Sequence, residues 1–112
     1  MEVREYLTET GKNPFRDWFV SLDTNTAVRV TARLRRLEQN NFANVNSVGQ
    51  GVAELRLHFG PGYRIYFGRA HQELVILLAG GTKHRQQRDI KTAQLRWNNY
   101  RLRKQAIQRG AH

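Results

Sequence analysis

Glu54, Arg56 and His58 alternate with Leu55, Leu57 and Phe59, and a few residues later Arg64 and Tyr66 alternate with Tyr63, Ile65 and Phe67. On an extended chain that spacing gathers the ionisable and hydroxyl groups on one face and the apolar groups on the other. Guanidinium forks bind phosphate oxygens through paired hydrogen bonds, so Arg56 and Arg64 suit a phosphodiester and any charge that builds on it. Glu54, between arginines, suits a salt-bridge partner. His58 and His84 are candidates for moving a proton, since imidazole as a residue type is suited to acid–base work. Tyr66 has a ring able to stack on a base or simply to cover a sheet. Farther on, Gly80-Gly81-Thr82 leads into Lys83, His84, Arg85 and Arg88, a second basic segment at the end of an apolar run. Lone histidines and charge runs are also what an ordinary solvated face contains, so position decides their meaning.

The elements that must hold these groups follow from the pattern. Gly60-Pro61-Gly62 separates the two alternating segments, which therefore form a β-hairpin. With Phe59 opposite Tyr63, the expected pairs are Leu57 with Ile65, Leu55 with Phe67, Arg56 with Tyr66 and His58 with Arg64. A slip of one residue would mix the two faces. Glu73–Ala79 is a continuous apolar run, expected as a central strand covered on both sides. Residues 1–7 read as a short strand. Asn13-Pro14 opens a helix, with Asn13 as cap and Pro14 in the first turn; Phe15, Trp18, Phe19 and Leu22 form its inner face. A second helix starts near Asp23 or Thr24, with Ala27, Val30, Thr31, Leu34 and Leu37 inward and Arg29, Arg33, Arg35 and Arg36 elsewhere. The short connection predicts an antiparallel helical hairpin. Gln39–Gln50 reads as a loop. From about Asp89 a terminal helix turns Ile90, Ala93, Trp97, Tyr100 and Ile107 to one side and leaves Leu95 and Leu102 on the other.

Composition bounds the answer. A chain of 112 residues, 39% apolar, supports one domain, residues 1–112. Without cysteine there are no disulfides, zinc fingers, iron–sulfur clusters or thiol nucleophiles. No membrane span and no signal peptide is legible, so the expected location is cytoplasmic. Nineteen Lys and Arg against nine Asp and Glu give a net charge of +10 and a pI near 11.1. That field favours polyanions, nucleic acid before an acidic protein or a membrane surface. The spacing of a Walker phosphate loop is absent after the double glycine, and no cofactor or metal is expected.

Glu-Leu-Arg-Leu (54–57), Gly-Pro-Gly-Tyr-Arg-Ile-Tyr-Phe (60–67), Leu-Leu-Ala-Gly-Gly-Thr-Lys (77–83) and Gln-x-x-Asp-Ile-x-x-Ala (86–93) occur in that order. Together they resemble the RelE/ParE superfamily of toxin–antitoxin toxins, and within it the HigB-like, phage-derived Gp49-like branch of addiction-module killer proteins. The resemblance covers nearly the whole chain and is densest over residues 51–97. It implies an α+β, RelE-like fold: a twisted antiparallel sheet packed on an N-terminal helical hairpin, with a C-terminal helix. It also implies a type II toxin that cuts mRNA in the ribosomal A site without a metal and is neutralised by a cognate antitoxin, usually a helix-turn-helix protein. ParE-type members instead poison DNA gyrase, and fold alone does not choose between them.

Metal-free RNA cleavage uses the 2′-OH as nucleophile and needs a proton acceptor, cations for the phosphate and a proton donor for the 5′-oxygen. Under the resemblance, Arg56, Arg64 and Lys83 stand where family members carry basic active-site residues. Glu54 and His84 complete the catalytic candidates, and His58, Tyr66, Arg85 and Arg88 are candidates for substrate contact. Several RelE-type nucleases also use a tyrosine near the C-terminus; here Tyr100 falls on the apolar stripe, where packing is its expected role. The alternatives are a non-catalytic gyrase inhibitor and a plain basic nucleic-acid-binding module.

Overall fold

In the hairpin the computed structural model, which describes residues 1–110, pairs Leu57 with Tyr63, Leu55 with Ile65, Ala53 with Phe67, Glu54 with Tyr66 and Arg56 with Arg64. The partners are therefore two residues away from those the pattern predicts. Burial fixes only the parity of a strand, and a two-residue shift keeps every side chain on its face. Loop geometry sets the rest: Gly60 and Gly62 both take positive φ, +56° and +75°, and the Gly62 amide closes on the Phe59 carbonyl at 3.2 Å. The correction brings Arg56 directly opposite Arg64.

The elements are β1 (Glu2–Glu5), α1 (Pro14–Val20), α2 (Thr24–Glu38), β2 (Val45–Ser47), β3 (Val52–Leu57), β4 (Tyr63–His71), β5 (Leu74–Thr82), one 3-10 turn (Lys83–Arg85) and α3 (Gln86–Gly110). The strands form one sheet in the order β1-β5-β4-β3-β2. It is mixed, not wholly antiparallel, because β1 runs parallel to β5. β2, inside the stretch read as a loop, is only three residues long and pairs with β3 at the opposite edge. A strand so short and polar carries no alternation to read.

The caps are where the sequence puts them. The Asn13 side chain accepts from the Arg16 amide at 3.0 Å with Pro14 in the first turn, and Asp23 accepts from the Thr26 amide at 2.8 Å. One core cluster joins Phe15, Val30 and Leu37 of α1 and α2 to Leu55, Ile65, Phe67, Val75 and Leu77 of the sheet. The second lies on the other sheet face, where Ala93 and Trp97 of α3 cover Val52, Tyr66, Ile76 and Leu78. Glu54, Arg64 and Tyr66 of the hairpin's ionisable face are thus buried on the α3 side, while Arg56 and His58 at its outer end stay exposed. Alternation alone cannot reveal this, since a helix docking on a polar face leaves no mark in the strand.

A bulge sets the phase of β5. Tyr66 pairs with Ala79 but Phe67 with Leu77, so Leu78 is an extra residue and both Leu78 and Ala79 face α3. Beyond it, Gly80 lies against the Trp18 ring and Gly81 against Asp89. A β-carbon at either position would collide with its partner. The double glycine therefore seats one side chain on each sheet face. Farther along α3, Trp97 stacks on Tyr100 (centroids 5.3 Å apart, planes at 9°), which makes Tyr100 a packing residue. Ile107, expected on the inner stripe, is exposed because the last turns of this 25-residue helix run past the sheet. No helix among the described residues is long and apolar enough to cross a membrane.

Candidate functional site

Glu54 is the centre of the site, with 0% of its surface exposed. Its Oε1 accepts from Arg56 Nε at 2.9 Å, and its Oε2 accepts from Gln86 Nε2 at 2.8 Å. The Arg64 Nε lies 3.6 Å from the same Oε2, an ion pair without hydrogen-bond geometry. One buried carboxylate thereby holds two cross-strand guanidiniums and ties them to the first residue of α3. Such a group cannot reach a substrate proton. Glu54, a catalytic candidate from sequence, sits where a positioning group belongs.

The two arginines differ in exposure. Arg64 is 5% exposed and Arg56 lies at the surface. Arg64 is buried on the α3 side of the sheet, away from α1 and α2, and its Nη1 donates to the Gly62 carbonyl at 2.7 Å. The Lys83 amide donates to that carbonyl at 2.9 Å. A β-carbon on Gly62 would fall 3.0 Å from Arg64 Nη1 and 3.1 Å from the Lys83 β-carbon. The turn glycine is thus the point where the arginine and the lysine meet. Arg56 and Arg64 stand opposite each other across the strands, Lys83 joins Arg64 at Gly62, and Glu54 is the one carboxylate in an ion pair with this group among the described residues. Such a cluster attracts a further anion.

Lys83, His84, Arg85 and Arg88 all lie exposed along the 3-10 turn and the start of α3, and line a shallow cleft of about 390 Å³. This segment is ordered structure continuous with β5 and α3, not the free loop its polarity suggests. His58 is also exposed but lines a separate cleft with Arg56 and Phe59. Tyr66 is 0% exposed, which leaves no ring face for a base to stack on. Burial, followed by the charge of Glu54, pushes its hydroxyl well above the ordinary phenol range, so it remains protonated beneath the cluster.

Sequence reasoning missed three residues. Gln86 is the second hydrogen-bond donor to Glu54, beside Arg56. Asp89, read as a helix-start residue and as part of the Gln-x-x-Asp-Ile-x-x-Ala run but given no role, packs on Gly81 with Oδ2 buried and without a hydrogen-bond partner. Burial raises its pKa against the lowering pull of Arg85, Arg88 and Arg96. Arg33, expected to point outward, is buried and donates to the carbonyls of Asn41 and Ala43. The glycine of the Gly81–Asp89 pair was the one available signal, and it has no direction in a sequence.

Residues 17–98 match the family described as Phage derived protein Gp49-like (DUF891). A Haemophilus influenzae protein, named only as uncharacterized, is 43% identical over 82 residues, which are 72% of this chain and 83% of the relative. No solved structure matches the chain. The chain belongs to the Gp49-like family, which is associated with the toxins of toxin–antitoxin systems. The matched span contains the entire Glu54–Arg56–Arg64–Lys83 cluster, together with Gln86 and Asp89.

Proposed function

We propose that this protein is the toxin of a type II toxin–antitoxin module and a metal-independent endoribonuclease acting on mRNA in the ribosomal A site, within the cytoplasm. The observation that carries the reading is the cross-strand pair Arg56–Arg64 held by one buried carboxylate, with Lys83 joined to it at Gly62. On this reading α1 and α2 correspond to the helical hairpin of a RelE-like domain, and a helix-turn-helix antitoxin is the neutralising partner.

The chemistry assigns a task to each group. The ribose 2′-oxygen attacks the adjacent phosphorus as its proton passes to a base; the phosphorus–O5′ bond breaks and the 5′-oxygen takes up a proton. The products are a 2′,3′-cyclic phosphate and a 5′-hydroxyl. Arg56 and Lys83 meet the charge on the non-bridging oxygens, and Arg64 reinforces it from below. His84, exposed beside Lys83, is the assigned proton carrier. Arg85 and Arg88 hold flanking phosphates, and Glu54 keeps the arginines in register.

Induced expression followed by primer extension on a translated message tests the assignment. Wild type yields new 5′ ends within the coding region; Arg56→Ala and Lys83→Ala, both at exposed positions, abolish them. Growth arrest with intact transcripts and accumulating DNA breaks would overturn it in favour of a gyrase inhibitor. Survival of both cleavage and arrest in the two variants would remove the cation cluster from the mechanism.

A further inference from the structure

A second basic cleft, of about 360 Å³, opens where α2, the 41–44 turn and the outer end of β3 meet. Arg29, Arg33 and Arg36 line it from α2, and Arg56, His58 and Phe59 line it from the hairpin. The three α2 positions recur at steps of four and three, so they form one ridge along the helix. No Asp or Glu lines the cleft.

The arginines have different tasks. Arg33 is nearly buried; both its Nη atoms donate to the Asn41 carbonyl at 3.2 Å, and Nη2 also reaches the Ala43 carbonyl at 2.5 Å. It builds the wall. Arg29 lies 4.7 Å from the centre of the Phe59 ring, which steadies its guanidinium at the mouth of the cleft. Neither Arg29 nor Arg36 forms an ion pair among the described residues, and both are exposed. These two exposed cations, without an ion-pair partner among the described residues, are poised for a polyanion from outside. Arg56 belongs both to this lining and to the cluster on Glu54.

We propose that this cleft carries the phosphate backbone of single-stranded RNA flanking the phosphate held at Arg56, with Arg29 and Arg36 each contacting a phosphate. The polymer's identity rests on the endoribonuclease reading. The shared Arg56 makes the anion here continuous with the one at the cation cluster, which favours an RNA strand over a separate acidic peptide.

The test is fluorescence anisotropy with the full chain and a labelled 2′-O-methyl RNA 12-mer, which binds but has no 2′-hydroxyl to react. Titrations at several KCl concentrations compare wild type with Arg29→Ala/Arg36→Ala, whose equal Tm shows that the fold is kept. Each single-strand phosphate contact contributes about 0.7 to the salt slope, so the double variant should lose about 1.4 in slope and about tenfold or more in affinity at 0.1 M KCl. Unchanged slope and affinity overturn the cleft assignment, while RNA cleavage by wild type and its loss in Arg56→Ala would leave the endoribonuclease reading standing. Loss of affinity and slope in a protein that cleaves no message upholds the cleft and sinks the nuclease. Loss of antitoxin binding alone, with RNA binding intact, overturns the proposal in favour of an acidic protein occupant.

Discussion

Asp89 and Gly81 compete for one volume: the carboxylate of the helix fills the space that a β-carbon on the strand would need. Gly81→Ala must therefore push α3 or β5 aside. The cost expected for overpacking a close contact of this kind is about 1–3 kcal/mol, read as a lower urea midpoint. Asp89→Ala vacates the space, so the double variant should be less unstable than the sum of the two single changes. Additive costs would show that the contact is not the cause.

Asp89 also gives a pH dependence with a defined sign. Burial raises its folded-state pKa above the ordinary 3.8. The folded protein then binds more protons than the unfolded chain between the two values, so stability falls as pH rises through that window. The contribution is present below about 3.8 and gone above the folded value. Comparing denaturant midpoints of wild type and Asp89→Asn from pH 3 upward isolates it: wild type should lose stability relative to the variant as pH increases. A constant difference would contradict the burial of an ionisable carboxyl.

Glu54→Gln removes the counter-charge beneath Arg64 while keeping the shape. Leaving a buried guanidinium without its carboxylate should cost about 3 kcal/mol, measured by urea unfolding. On the endoribonuclease reading, cleavage should fall further than the folded fraction accounts for, because Arg56 loses its anchor too. Gln86→Ala, which removes only a neutral donor to the same carboxylate, should cost about 1 kcal/mol.

Asn13→Ala serves as the contrast. It removes the cap of α1 and the side-chain bond to Glu5 at 2.7 Å, and should cost about 1 kcal/mol without altering RNA cleavage. A selective loss of cleavage would place α1 nearer the chemistry than the geometry does.

What was legible in the chain was what local chemistry dictates. The Asn13-Pro14 and Asp23 starts are local, and so is the face on which each hairpin residue lies. The partner across the strand was not, because loop length shifts pairing in steps of two while leaving the apolar face intact. Burial of Glu54, Arg64 and Tyr66 was hidden for another reason: it depends on α3, some twenty residues or more downstream. Arg33 shows the limit of reading arginines as surface, since its planar fork can be spent on carbonyls of a turn. The cation cluster was visible as a set of residues, whereas Gly62 as the point joining two of them was visible only in three dimensions.

Among the described residues the first strand has its only ladder partner in β5, whose residues 74–77 are made some seventy positions later. Pairing at such separation makes sheet completion a late event. A ribosome that stalls before Gln86 releases a chain in which Glu54 still lacks its amide donor and the roofing helix does not yet exist. On the toxin reading proposed above, abortive translation products would be harmless to the cell that makes them, and only chains carrying α3 would need restraint.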